Sequence, residues 1–323
     1  MLTDNTSAAP ASSRPASDTE TAICYFDSRF MPLADANVSI MTHAFMYGTA
    51  VFEGIRAYWN AEQGQLYGLK LQEHFERLAN SSHMLFMDLP GSVDEMVSLT
   101  VELLRRNGFR QDAYVRPSVY KSTQAIGVRL HNLAQGFYML AIPMGDYIDT
   151  AHGITAQTSS WRRTSDQTIP ARGKIVGSYV NSAFVKTEAQ LNGYDEAIVL
   201  TLDGHVSEGS AENLFMVRDG SLVTPPVTDE ILEGITRAGL IELAQRELGM
   251  PVVQRTIDRT ELYVADELLL CGTGAQVSPV VEVDHHPVAG GRIGPVAYRL
   301  PELYFDAVRG NLPALAHWLT PVY

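Results

Sequence analysis

The sequence predicts a mixed α/β fold, α+β in character, built as two domains. Three observations lead there. The chain has 323 residues, more than one hydrophobic core usually organises. Its 46% hydrophobic and 19% charged residues are the proportions of an ordinary globular protein. Its strand signals come as hairpin-like pairs set between single helices, without the strict strand–helix alternation of a doubly wound sheet.

Residues 1–22 are expected to be a disordered tail: the stretch is rich in Ser, Ala and Pro, has no apolar core to serve as a signal peptide, and its acids argue against a transit peptide. A first domain follows over residues 23–142. Ile23–Phe26 and Phe30–Leu33 flank Asp27-Ser28 as a hairpin, and Leu66–Leu69 reads as a strand. Phe75, Leu78, Ala79 and Ser82 mark one face of a helix from about Gln72 to Leu85. Ser92-Val93-Asp94-Glu95 is a capping box that opens a second helix, striped by Met96, Val97, Val101 and Leu104 and ended by Asn107-Gly108. Ala113–Val119 and Phe137–Pro143 are strand-like.

Residues 143–153 read as an interdomain connection, and 154–323 as a larger second domain. It begins with a strand at Thr155–Ser159 and a helix at Ser178–Leu191, closed by Asn192-Gly193. Ala197–Thr201, Leu214–Val217 and Leu222–Thr224 are strands, with turns at Asp203-Gly204 and Asp219-Gly220. Ile235–Leu248 is an amphipathic helix ended by Gly249. Glu267–Cys271 and Val280–Val283 are strands, and a last helix from Pro295 to Val308 is expected to be interrupted at Pro301.

Charge and composition exclude several functions. A net charge of −13 argues against nucleic-acid and anionic-membrane partners, and no apolar run reaches membrane-spanning length. Cys24 and Cys271, far apart in sequence, read as reduced thiols of a cytoplasmic protein. His74, His83, His285 and His286 lack metal-ligand spacing and are read as non-functional. Gly272-Thr273-Gly274 follows a strand, but no helix start and no third glycine arrive in register, so a dinucleotide fingerprint fails.

The densest signal runs from Asp203 to Phe215 (DGHVSEGSAENLF), which sets two carboxylates and an amide among small residues between a turn and a strand. Such polar density is costly to bury unless each group has a partner. Upstream lies Arg172-Gly173-Lys174; downstream, Gly234-Ile235-Thr236-Arg237 opens a helix. A lysine, an acid and a glycine-led helix start supply what pyridoxal 5'-phosphate needs: an amine for its aldehyde, an anion for its ring nitrogen and a phosphate cup. The residues alone leave open which of Glu208 and Glu212 faces the ring.

His43 to Tyr58 (HAFMYGTAVFEGIRAY), Glu73 to Leu78 (EHFERL), Ser207 to Phe215, Gly234 to Arg237 and Gly272-Thr273 resemble the fold-type IV pyridoxal-phosphate enzymes, whose fold is that of the D-amino acid aminotransferases. Within them the chain looks most like the branched-chain amino acid aminotransferases, from about residue 24 to 310. The resemblance implies that Lys174 is the catalytic lysine, joined to the cofactor and moving the α-proton once freed, while Lys186 is an ordinary surface lysine. It assigns the ring nitrogen to Glu208, leaving Glu212 and Asn213 structural, and the cofactor's phenolic oxygen to Tyr179. The phosphate goes to Arg77, Ile235, Thr236 and Thr273; Glu73, at i, i+4 from Arg77, could also pair with it.

For substrate, the family pattern places Phe52, Gly54, Arg56, Tyr147 and Tyr179 around an apolar pocket, with Tyr47 and the Ile126-Gly127-Val128 loop serving the neighbouring subunit's active site. Arg116 would take the distal carboxylate of glutamate, and Tyr114 with the Thr273-Gly274 backbone the α-carboxylate. Pro143-Met144-Gly145-Asp146-Tyr147 departs from the family's Pro-Trp-Gly-x-Tyr, so Met144 gives a looser wall than an indole. The implied function is ping-pong transamination of branched-chain, and by extension other hydrophobic, L-amino acids with 2-oxoglutarate in branched-chain amino acid biosynthesis, by a cytoplasmic homodimer or higher oligomer with active sites completed across the interface. The alternatives are a 4-amino-4-deoxychorismate lyase, a D-amino acid or (R)-amine transaminase of the same fold, and a non-catalytic protein that binds the cofactor.

Overall fold

The computed structural model describes residues 21–145 and 152–323. The expected tail and Tyr147 lie outside the described residues, except for the tail's last two. Two sheets carry the molecule. In the first the strands run Leu319–Pro321, Gln65–Leu69, Ile55–Asn60, Ala113–Lys121, Gln135–Pro143, Ile23–Phe26 and Arg29–Pro32, with Ala50–Phe52 also paired to Ala113–Lys121. The last strand of the chain thus closes the edge of a sheet otherwise made before residue 144. In the second the order is Val206–Gly209, Glu196–Leu200, Ile154–Arg162, Gln276–Val283, Glu267–Gly272, Asn213–Arg218, Ser221–Thr224 and Val252–Gln254, with His286–Pro287 on Gln276–Val283. Ile154–Arg162 lies parallel to both neighbours and Val252–Gln254 parallel to its own; the other pairings are antiparallel. This mixture is the α/β arrangement of α+β character that the sequence predicts.

Local chemistry explains the elements. Asp27 and Ser28 both adopt positive φ (48° and 60°), the type I′ geometry that matches strand twist in a two-residue hairpin. The Val93–Asn107 helix carries its full capping box, with Ser92 and Glu95 exchanging bonds, and ends on left-handed Gly108. Apolar faces then select the packing. Phe75 and Leu78 from the Leu71–Met84 helix and Leu103 and Leu104 from the next helix bury against Ile55, Val115 and Met139 of the first sheet. In the second sheet the period of two divides the Glu267–Gly272 strand. Leu269 and Cys271 face the Ile235–Glu247 and Pro295–Val308 helices, while Leu268 and Leu270 join a second core on the opposite face.

Several expectations need correction. The last helix is continuous from Pro295 to Val308 with Pro301 inside it. Proline removes one N–H bond there, but Leu300, Leu303, Tyr304 and Ala307 are buried around it and hold the helix. The Ile235–Glu247 helix buries Arg237 along with Leu240 and Leu243, so its inner face is less apolar than an amphipathic reading implies. Strands Ala50–Phe52, Ile55–Asn60, Val252–Gln254 and Leu319–Pro321 were not legible as strands.

One close approach positions the lysine segment. Gly48 adopts φ +66°, and a Cβ there would lie 2.8 Å from Gly177 Cα; Gly177 N donates to Gly48 O at 3.1 Å. Phe52 N donates to Lys174 O at 3.1 Å, and Lys174 N to Ser81 Oγ at 3.1 Å. The Lys174 main chain is therefore pinned between the first sheet and the Leu71–Met84 helix. Gly48→Ala should cost about 1–2 kcal/mol for the left-handed backbone alone and more for the clash, lowering the urea midpoint at unchanged m-value. A variant as stable as the parent would show that the approach is not required.

Candidate active site

A cavity of about 670 Å³ opens between the two sheets. The first sheet lines it through alternate residues: Tyr114 and Arg116 stand opposite Ile142 and Leu140 in the register of neighbouring strands, so all four project from one face. Phe52, Gly54 and Met144 complete that side. Gly54 has to be small, because a Cβ would meet the Tyr114 hydroxyl at 2.8 Å. Arg116 donates to that hydroxyl through Nε (3.1 Å) and Nη2 (2.9 Å) and lies 4.7 Å over the Phe52 ring. Its Nη1 makes no bond among the described residues.

The second sheet and the lysine segment line the other side. Lys174 Nζ donates to the Tyr179 hydroxyl at 2.8 Å and sits 5.0 Å over the Phe52 ring. Glu208 is buried in a strand that bulges between Val206 and Glu208. Its carboxylate accepts from Arg163 Nη2 at 2.5 Å, Asn213 Nδ2 at 2.9 Å and Leu232 N at 3.1 Å. Burial pushes the Glu208 carboxyl above its ordinary range, opposed first by the Arg163 charge and then by the Leu232 N–H, Lys174 and Arg77.

Glu212 has a different setting. Its Oε2 accepts from Ala211 N within its own turn, and burial together with the Glu196 charge pushes it up to about 8. The two glutamates that sequence could not separate differ in their donors: Glu208 has a guanidinium, an amide and a backbone N–H, Glu212 a backbone N–H of its own turn. Lys186 is not an ordinary surface lysine. Its Nζ pairs with buried Glu196 at 2.5 Å, and both line the cavity with Glu212.

The third component is the start of the Ile235–Glu247 helix. Gly234 is its N-cap and offers no side-chain cap, so the first N–H groups stay free for a ligand. Gly234, Ile235 and Thr236 line the cavity. Glycine is required at the cap, since a Cβ would fall 1.8 Å from Asn213 Oδ1. Arg77 Nη1 donates to Glu233 O at 2.8 Å, just before this helix. Arg77 pairs with Glu53, not Glu73: its Nε and Nη2 each reach the Glu53 carboxylate at 2.7 Å, and Glu73 goes to Lys70. His74 Nδ1 bonds the same carboxylate at 2.8 Å, so this histidine serves the site. Burial would raise the Glu53 carboxyl, but the Arg77 charge and the bonds from His74 and Arg77 hold it at about 2.

The donor set fits pyridoxal 5'-phosphate: an amine, a partnered buried carboxylate, and an uncapped helix start beside an arginine line one cavity, with Thr273 and Gly274 on its rim. Among the described residues there is no cluster of metal-ligating side chains, and no helix is long and apolar enough to cross a membrane. Tyr47 and Val128 do not line their own chain's cavity. They stand together outside it, where the Tyr47 hydroxyl accepts from Gly127 N at 3.2 Å and His43 Nε2 bonds Gly127 O at 2.8 Å. Arg56 is buried and also off the lining. Sequence reasoning missed Arg163, Glu53 and His74. The His74-x-x-Arg77 spacing on one helix face was the available signal for the last two, and Arg163 had none.

Comparison with known proteins agrees with this geometry. The family model of amino-transferase class IV matches residues 50–283. A probable branched-chain-amino-acid aminotransferase of Aquifex aeolicus is 48% identical over 299 residues, covering 93% of this chain and 96% of that one. The branched-chain-amino-acid aminotransferase of Escherichia coli K12 is 38% identical over 305 residues, covering 92% and 96%. Among solved structures, a branched-chain aminotransferase from Thermoproteus uzoniensis with norvaline superposes at a TM-score of 0.89 and 40% identity, covering 94% of this chain and 100% of that one. The branched-chain amino acid aminotransferase from Thermobaculum terrenum in its PLP-form gives 0.89 and 36%, covering 94% and 99%.

The Arg163–Glu208 pair has a pH signature. Because the folded Glu208 carboxyl lies above its unfolded value, the folded chain binds more protons, and this group's contribution falls as pH rises from the ordinary carboxylate range to the folded pKa. Removing Arg163 raises that carboxyl further. Arg163→Met should lose about 3–5 kcal/mol at pH 8, the usual cost of breaking a buried pair, and less at pH 5. Urea denaturation of the cofactor-free chain at both values checks this, and a deficit equal at both would remove the charge argument.

Proposed function

The chain belongs to the class IV aminotransferases, among the branched-chain amino acid aminotransferases, and we propose that it moves the α-amino group of branched-chain and other hydrophobic L-amino acids to 2-oxoglutarate. The products are 2-oxo acids and L-glutamate. The observation that carries the reading is one cavity shared by two half-sites: Lys174, Glu208 and the open helix start on one side, and an apolar wall with Tyr114 and Arg116 on the other.

Pyridoxal 5'-phosphate bound there supplies an aldehyde that takes up the amino group and a ring that draws electrons from the α-carbon. Arg77, the N–H groups of Ile235 and Thr236, and Thr273 hold its phosphate. Glu208 holds negative charge against the ring nitrogen and keeps a proton there, with Arg163 sustaining its ionised form. Tyr179 sets the position of the Lys174 amine, which takes the proton from the substrate α-carbon and returns it. Tyr114 and the Thr273-Gly274 turn orient the α-carboxylate. Phe52, Leu140, Ile142 and Met144 surround the aliphatic side chain and exclude water. Met144 is adaptable and leaves volume that an indole would fill, so side chains bulkier than leucine are accepted. Both substrates use the same cavity in turn, which gives ping-pong kinetics.

A second copy of the chain completes the site. Ile40, Phe45, Ile126 and Val128 are exposed by 70% or more, and the His43 and Tyr47 bonds gather the 126–128 loop onto the 43–47 helix. An apolar patch of this kind favours a protein partner, and Tyr47 and Val128 then serve the neighbour's cavity. The enzyme works in the cytoplasm on this reading, consistent with two buried, unpaired cysteines.

Purified chain should convert leucine and 2-oxoglutarate to 4-methyl-2-oxopentanoate and glutamate; pyruvate release from 4-amino-4-deoxychorismate without glutamate formation would replace this reading with a lyase. Arg116→Gln should lower kcat/KM for glutamate and 2-oxoglutarate roughly 10- to 100-fold, the worth of a charge-assisted bond to the distal carboxylate. Leucine should change by only a few-fold. Equal loss for both substrates would make Arg116 a fold residue or an α-carboxylate residue.

A further inference from the structure

Arg56 stands opposite Tyr114 in the first sheet, yet only 1% of it is exposed. Its guanidinium makes five bonds, all to main-chain carbonyls. Nε donates to Thr273 O at 3.1 Å; Nη1 donates to Met144 O and, at 3.0 Å, to Gly145 O; Nη2 donates to Gly145 O at 3.0 Å and to Gly274 O at 3.4 Å. A guanidinium has five N–H donors, and each is committed. None is left for a substrate carboxylate.

The four carbonyls come from two distant places. Met144 and Gly145 leave the first sheet just before residues 146–151. Thr273 and Gly274 form the turn between the Glu267–Gly272 and Gln276–Val283 strands of the second sheet, and Thr273, Gly274 and Met144 all line the cavity. We propose that Arg56 is a positioning residue for substrate. It ties the Met144-Gly145 stretch to the Thr273-Gly274 turn and holds the carbonyls of both away from the bound amino acid.

The physical reason is the sign of the dipoles. A carbonyl oxygen turned toward a substrate carboxylate repels it, whereas the N–H of the same turn attracts it. Drawing the Thr273 and Gly274 oxygens onto a buried cation fixes the turn with its oxygens spent, so its N–H groups are free to face the carboxylate. The same cation holds Met144 O, which fixes the backbone of the residue that forms the wall of the side-chain pocket. Arg56 thereby sets the separation between the carboxylate end and the side-chain end of the substrate. Lysine is no substitute: three donors on a point charge cannot replace five N–H bonds to four carbonyls.

The inference rests on the functional reading above, and binding of a carboxylate probe separates the two. 4-Methylpentanoate carries leucine's side chain and carboxylate without the amine, so its binding to holoenzyme reports the carboxylate turn without turnover. The wild type should bind it, seen as a change in the cofactor's visible absorbance. Arg56→Met should raise its Kd about 10-fold or more, in line with the loss of outer partners that orient a contact group. KM for leucine should rise in parallel, with a smaller effect on kcat and a change under about 3-fold in cofactor Kd. Arg56→Lys should fall between the two and serves if Arg56→Met does not fold. Unchanged probe binding in a folded Arg56 variant overturns the inference while leaving the functional reading intact. Failure of the wild type to bind the probe or to turn over leucine overturns that reading instead. An equal loss of cofactor and probe affinity would make Arg56 a general fold residue and also overturns the inference.

Discussion

Buried charge is the constraint on which the site depends. Glu53 and Glu208 are carboxylates nearly excluded from water, and an ion so placed is tolerated only with a partner and filled hydrogen-bonding positions. Arg77 and His74 supply them for Glu53; Arg163, Asn213 and the Leu232 N–H supply them for Glu208. Each cluster draws together segments that are remote in sequence. Residues 53, 74 and 77 join the first sheet to the Leu71–Met84 helix, and residues 163, 208, 213 and 232 gather the rim of the second sheet under the start of the Ile235–Glu247 helix. Satisfying these charges therefore also sets the two walls of the cavity and aims the open helix start into it.

The division of labour follows from the two sheets. The second sheet and its helix carry an uncapped helix start and a partnered buried acid, the parts that suit a phosphorylated cofactor. The first sheet presents alternating Tyr114 and Arg116 beside Leu140 and Ile142, so one strand pair offers both polar and apolar recognition. That pairing matches the chemical problem of accepting an aliphatic side chain and a dicarboxylate in the same space. The Arg116 guanidinium rests on Phe52 and Tyr114, where it is held close to the apolar wall without closing it.

Local signals were legible wherever the physics is local. The Ser92 capping box, the Asp27-Ser28 hairpin and the apolar stripe of the Leu71–Met84 helix each depend on residues a few positions apart, and each stands where the sequence placed it within a residue or two. The residues proposed for the cofactor were singled out by their wording, and Lys174, Tyr179, Glu208, Ile235, Thr236 and Thr273 line one cavity. What sequence could not give was pairing across long separations. Glu53 lies 24 residues from Arg77, and the nearer Glu73 offered itself by helical spacing, although Lys70 takes it. Arg163 sits at the end of a strand with no periodic mark. Arg56 read as a substrate contact because the motif placed it beside Gly54, and only the geometry shows its donors spent on carbonyls. Pro301 misled because its local penalty was outweighed by burial of the helix around it.

The most direct measurement is the site of covalent attachment. Holoenzyme reduced with borohydride, digested and mapped by mass spectrometry should carry the phosphopyridoxyl group on Lys174 alone, with none on Lys186 even though it lines the same cavity. Modification of Lys186, or a chain that binds the cofactor with no reducible link, would contradict the assignment of Lys174 and with it the arrangement of the site built around that residue.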